Sequence, residues 1–216
     1  MTSSETVVFY HSPNTRSSGT RILLEELGAP HELRVVNMKA GEQRKAAFLA
    51  VNPMGKVPAI MHRGALVTEQ GAIFLYLGDL FPQAGLTPAL DDPRRGPYLR
   101  WMVYYGSSFE PAVVDRALKR DPAPLAMCPY GDYDTMLKTV TDQLAKSPYL
   151  LGDRMTVADV LWGTALAWTT MFKIVPELPV IMDYVKRLSA RPSVGKVKAL
   201  DNALAAEHDA AVKAAS

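Results

Sequence analysis

Apolar and polar positions change period once along the chain. Thr6-Val7-Val8-Phe9-Tyr10 is a short β-rich run stopped by Ser12-Pro13-Asn14. Arg21-Ile22-Leu23-Leu24-Glu25-Glu26-Leu27 has helical composition, and Gly28 and Pro30 end it. Leu33, Val35 and Asn37 alternate with Arg34 and Val36, which predicts a strand; residues 42–50 read as a helix. Residues 57–61 and 65–67 are short strands joined by His62-Arg63-Gly64, and residues 70–80 are helical with Ile73, Leu77 and Leu80 on one face. The order β-α-β-α-β-β-α predicts a parallel pair followed by an antiparallel hairpin.

From Pro82 to Pro97, four prolines and two glycines mark a crossing between lobes. Everything beyond reads as helix: 98–120, with a kink or interruption expected at Pro111, then 133–146, 157–172, 179–190 and 194–206. Pro122, Pro124 and Pro129 break the pattern after the first of these. The organisation expected is an α/β lobe over 1–81, a linker over 82–97 and an all-α lobe over 98–216. One helix start is well specified. Thr156-Val157-Ala158-Asp159 fits a capping box, with Met155 and Val160 able to staple it.

Composition narrows the function. Hydrophobic residues make up 48% of the 216 and charged residues 21%, enough for a sizeable core. Residues 1–81 carry eight basic and seven acidic side chains, and residues 82–216 sixteen and fifteen. Neither half has the charge excess of a nucleic-acid or anionic-membrane binder. A single cysteine, Cys128, excludes a disulfide framework, and four scattered histidines give no metal-ligand spacing. The opening Met1-Thr2-Ser3-Ser4-Glu5 lacks the basic start and apolar run of a signal peptide, so a cytoplasmic location is expected.

Three segments together carry a resemblance: Asn52-Pro53-Met54-Gly55-Lys56-Val57-Pro58-Ala59, Glu69-Gln70-Gly71-Ala72-Ile73, and Leu151-Gly152-Asp153 through Asp159. In their order and spacing the chain resembles the cytosolic glutathione S-transferases over essentially its whole length. Tyr10-His11-Ser12-Pro13 and Leu24-Glu25-Glu26-Leu27-Gly28 are similar to a bacterial-type class. The resemblance implies a thioredoxin-like first domain and a helical second one. It makes Pro58 a cis proline that turns the Val57 backbone toward the cysteinyl part of glutathione. It places the γ-glutamyl carboxylate at the helix start beside Gln70, where the family usually has Ser, and the γ-glutamyl ammonium on Glu69. For the glycyl carboxylate it points to Lys39, with Lys56 as the alternative.

The family ionises the glutathione thiol with a hydroxyl or thiol donor beside the first strand and the N-terminus of the first helix. Ser17, four residues before Arg21, resembles the serine classes; Tyr10, eleven before it, resembles the tyrosine classes. Ser18, Thr15, Asn14 and Ser12 are further candidates. A gapless comparison with the bacterial cysteine class puts Arg16 at the cysteine's place, where its charge would favour a thiolate. Ser17 could also serve as the helix N-cap.

An electrophile pocket is expected between the lobes, with Tyr105 and Ser108 as its polar-tipped candidates and Trp101 as core. The function implied is a glutathione S-transferase acting on a small apolar electrophile, with glutathione as co-substrate. Alternatives are a non-catalytic glutathione-binding protein of the same fold, or a glutathione-dependent etherase, peroxidase or disulfide reductase. A homodimer is expected, with no metal, nucleic-acid or membrane partner.

Overall fold

The computed structural model describes residues 6–121 and 123–214. The opening five residues, which carry the signal-peptide expectation, and Pro122 lie outside these. The chain packs as two compact units: residues up to Ala84 together with those from Pro192 onward, and Gly85–Arg191.

The first unit holds a four-stranded sheet of order β2-β1-β3-β4. Strand β1 (Val7–His11) runs parallel to β2 (His31–Val35), with Val7 opposite His31. It runs antiparallel to β3 (Ala59–His62), with Tyr10 opposite Ala59, and β3 pairs with β4 (Ala65–Val67). The two-residue turn between β3 and β4 has Arg63 at φ 50° and Gly64 at φ 78°. Two left-handed residues in succession match the twist of a hairpin.

Helix α1 (Ser17–Leu27) ends at Gly28, φ 59°, whose N–H reaches Glu25 O while Ala29 N–H reaches Leu24 O. That left-handed turn suits a residue without Cβ. The helix expected over 42–50 is split. Lys45 is extended (φ −77°, ψ 150°), separating a 3₁₀ turn, Glu42–Arg44, from α2 (Ala46–Leu49). Helix α3 (Gln70–Leu80) follows β4.

The second unit contains α4 (Arg95–Tyr104), α5 (Glu110–Ala117), α6 (Tyr133–Leu144), α7 (Val157–Met171) and α8 (Pro179–Ser189). The interruption expected at Pro111 takes the form of a π-helical segment, Tyr105–Phe109, where Glu110 N–H reaches Tyr105 O. Pro111 has no N–H to continue the ladder, and a wider turn just before it absorbs the missing bond. The capping box at Thr156 and Asp159 is present. Asp159 is fully buried, and its carboxylate accepts from Thr156 N–H, Leu150 N–H and the Tyr184 hydroxyl, each at 2.8 Å. Burial still holds this carboxyl above its usual range. Trp101 is core: its carbonyl accepts Trp162 Nε1–H at 3.0 Å.

Helix α9 (Pro192–Ala214) is longer than the 194–206 expected and packs on α1 in the first unit. The division expected at residue 98 therefore assigned this helix to the other lobe. Its helical periodicity carried no mark of which core it covers. No described helix is long and apolar enough to cross a membrane.

Candidate functional site

The pleat of β1 buries Val7, Phe9 and His11 and leaves Val8 and Tyr10 half-buried on the opposite face. His11 thus ends the strand on the face from which the chain turns into α1. Ser17 opens that helix, but it is not the N-cap. Arg16 holds that position, and no side chain caps it. The Ser17 side chain points back into the turn instead. Its Oγ accepts Ser12 N–H at 3.1 Å and lies 2.9 Å from Ser12 O, 2.7 Å from Thr15 Oγ1 and 2.9 Å from His11 Nδ1. Ser17 is fully buried, whereas Thr15 is half-buried. Of the hydroxyls expected in this turn, Thr15 is therefore the one bonded to Ser17 that also reaches the surface. Thr15 Oγ1 accepts Ser17 N–H at 3.2 Å and lies 2.8 Å from Ser12 O.

Behind Ser17 lies a charged cluster. His11 Nε2 is 3.0 Å from Asp201 Oδ1 on α9. The same oxygen accepts from Arg21 Nη1 at 2.9 Å, and Oδ2 accepts from Ser18 Oγ at 2.5 Å. Burial pushes the Asp201 carboxyl up, but the donors from His11, Ser18 and Arg21 outweigh it and hold the group below its ordinary value. Asp201 is ionised at neutral pH, and His11 therefore donates through Nε2. Sequence reasoning missed both His11 and Asp201. One signal was present: Val197, Asp201, Leu204 and His208 follow helical spacing, so two ionisable residues interrupt an apolar stripe.

The Val57–Pro58 bond is cis. Pro58 leads directly into Ala59, which pairs with Tyr10 at the end of the β1–β3 ladder. Among the described residues, no hydrogen-bond partner engages the Val57 backbone, and the residue is half-buried. The segment before it is braced by Asn52, whose Nδ2 donates to Lys56 O at 2.9 Å and whose Oδ1 accepts Met54 N–H at 3.1 Å. Gly55 is required there: at φ +61° an added Cβ would fall 2.7 Å from Gln43 O.

Glu69 precedes α3 at φ 63°, ψ 118°, a conformation that non-glycine residues rarely adopt. Such a residue stores about 1–3 kcal/mol, and strain of this kind clusters at ligand sites. Its side chain is exposed. Gln70 Nε2 donates to Arg16 O at 3.1 Å, tying the start of α3 to the start of α1. The structure thus brings Arg16, Ser17, Val57, Pro58, Glu69 and Gln70 to one end of the sheet.

Other expected residues lie elsewhere or have other partners. The Lys39 ammonium is ion-paired with Asp209 of α9, both half-exposed. Lys56 is exposed. Tyr10 packs on Phe48 of α2, ring centroids 5.7 Å apart, on the sheet face opposite His11. Tyr105 is buried in the second unit with its hydroxyl donating to Glu110 Oε1 at 2.6 Å, and Ser108 is buried in the same π segment. No cluster of metal-ligating side chains occurs among the described residues.

A thioredoxin-like unit with a cis proline beside the first strand defines a class of proteins, and the comparisons agree with it. The family model described as glutathione S-transferase, N-terminal domain, matches residues 5–79, and the corresponding C-terminal domain matches 130–192. A glutathione transferase structure from Methylococcus capsulatus is 31% identical with a TM-score of 0.76, covering 91% of this chain and 99% of that one. The chain belongs to the glutathione S-transferase family, a family of transferases. Glutathione S-transferase GstA of Escherichia coli O157:H7 is 28% identical over 86% of this chain and 94% of its own length. A sphingomonad glutathione S-transferase complexed with glutathione is 29% identical with a TM-score of 0.74, over 90% and 98%.

Proposed function

We propose that the protein is a glutathione transferase that binds glutathione at the end of the sheet and activates its thiol for attack on a small apolar electrophile. The observation that carries this reading is the hydroxyl pair Thr15–Ser17 at the start of α1, linked through Arg16 and Gln70 to the strained start of α3. The cysteinyl backbone pairs with Val57 as an added strand. The first N–H groups of α3 hold the γ-glutamyl carboxylate, and Glu69 holds its ammonium. Lys39 takes the glycyl carboxylate by exchanging its Asp209 partner, with Lys56 as the alternative. Thr15 faces the sulfur, and Ser17 stands behind it. A cysteine-type thiol with a pKa of about 8.5 is only a few per cent ionised at neutral pH, so a donor here raises the reactive fraction. The protein is a cytoplasmic homodimer; light scattering that returns a monomer mass at micromolar concentration contradicts the dimer.

Calorimetry with glutathione, combined with a chloro-nitroaromatic conjugation assay, tests the reading. Binding with turnover is expected, and Thr15→Ala is expected to lower turnover far more than affinity. Binding without turnover marks a glutathione-binding protein of the same fold, and no binding at all removes the site.

A further inference from the structure

Thiolate formation at this site leaves a proton to be placed, and the turn contains a path for it. Resting on the glutathione reading above, we propose that the thiol proton is taken up by His11 through the Thr15 and Ser17 hydroxyls, with Asp201 holding the imidazolium that results. The four groups form a continuous file: Thr15 Oγ1 to Ser17 Oγ at 2.7 Å, Ser17 Oγ to His11 Nδ1 at 2.9 Å, and His11 Nε2 to Asp201 Oδ1 at 3.0 Å.

Counting lone pairs and protons shows that the file is satisfied in two arrangements. A hydroxyl has one proton and two acceptor positions. Before transfer, neutral His11 carries its proton on Nε2, and Nδ1 accepts the Ser17 proton. Ser17 Oγ accepts from Ser12 N–H and from Thr15, and Thr15 Oγ1 accepts from Ser17 N–H and from the thiol. After transfer every proton has moved one place inward. The S–H bond breaks and its proton is on Thr15; the former Thr15 proton is on Ser17, and the former Ser17 proton is on His11 Nδ1. Each hydroxyl now donates outward, and Thr15 O–H points at the thiolate. Both backbone N–H bonds persist unchanged. In the structure the Ser12 carbonyl accepts from the Thr15 hydroxyl at 2.8 Å and from the Ser17 hydroxyl at 2.9 Å, so each hydroxyl rotates off it to enter the file.

The ring is held between a carboxylate and an aromatic side chain. The charged groups against the ring are Asp201 from α9 and, through the same carboxylate oxygen, Arg21 from α1. The Phe9 ring packs beside it with centroids 5.4 Å apart. His11 and Ser17 are both fully buried, so the proton reaches the ring through the hydroxyls and not from bulk water. Ser17 is equally out of reach as a nucleophile, which separates this array from an acyl-transfer triad despite its serine, histidine and aspartate. After the sulfur has reacted, the proton leaves outward along the same file to water.

The test is proton balance. Wild-type protein is titrated with glutathione by calorimetry in two buffers of different ionisation heat, while ultraviolet absorbance counts the thiolate. Retention on His11 predicts roughly zero protons released per thiolate formed. Ser17→Ala and His11→Gln break the file, so about one proton per thiolate should then appear in the buffer. Wild-type thiolate accompanied by full proton release, or binding without any thiolate signal, overturns the relay alone. Absence of glutathione binding overturns the site reading and the relay with it. The wild-type measurement stands even if a variant fails to fold.

Discussion

Asp201 and His11 are 190 positions apart in the chain, yet the carboxylate of one accepts the imidazole N–H of the other at 3.0 Å, with both side chains buried. This contact fixes which ring nitrogen carries the proton, and so which one faces Ser17.

Ser17→Ala and Thr15→Ala should separate structure from chemistry. Removing the Ser17 hydroxyl strands Ser12 N–H and His11 Nδ1 in a buried site. Urea denaturation should show a loss of about 1–3 kcal/mol. Thr15→Ala disturbs half-buried bonds and should lose about 0.5–1.5 kcal/mol. The thiol titration of bound glutathione should nonetheless rise by about one to two units in Thr15→Ala. An unchanged titration in that variant removes Thr15 from contact with the sulfur.

Glu69→Gly should move stability and affinity in opposite directions. Glycine accepts φ 63° without strain, so the melting temperature should hold or rise, consistent with relief of about 1 kcal/mol. Glutathione affinity should fall about five- to 150-fold through loss of the ion pair to the γ-glutamyl ammonium. A variant that binds as tightly as wild type would show that the strained residue serves the turn and not the ligand.

Asp209→Asn should strengthen glutathione binding. The carboxylate now occupies Lys39 in an exposed ion pair that solvent screens, so it holds the ammonium only weakly. Releasing it should raise affinity up to about fivefold at low salt, with the gain shrinking at high salt. Calorimetry at two ionic strengths reads this directly. If Asp209→Asn has no effect while Lys56→Ala weakens binding, the glycyl anchor is Lys56.

Asp201 should make stability fall in acid. Its carboxyl is held below the ordinary value of about 3.9 in the folded protein. The stabilisation is therefore complete above that value and is lost as pH falls through the lower folded value. The stability gap between wild type and Asp201→Asn should be larger at neutral pH than at about pH 3, measured by urea denaturation. Equal gaps at both pH values would mean that the native state does not favour the ionised form.

Much of the fold was legible in sequence because its signals are local. Gly28 ends α1, Arg63-Gly64 turns the hairpin, and Thr156 with Asp159 starts α7; each needs only its near neighbours. The split at Lys45 was not legible, because residues 42–50 have helical composition throughout and one extended residue decides the break. The spacing of Ser17 before Arg21 carries no information on the orientation of its hydroxyl. That orientation is set by Ser12 and His11, and the anchor of His11 comes from α9. A charged residue in a helix usually reads as solvated, and only its place in the Val197–His208 stripe distinguishes Asp201.

The first unit is discontinuous: its sheet is complete by residue 67, but the helix that supplies Asp201 comes after the whole of Gly85–Arg191. During synthesis, the ribosome therefore releases the sheet, with His11 and Arg21 lacking their carboxylate, long before α9 emerges. Until α9 packs on α1, His11 and Arg21 have no Asp201 carboxylate beside them. The turn at Ser17 therefore takes its final form only when the two separate stretches of this unit meet.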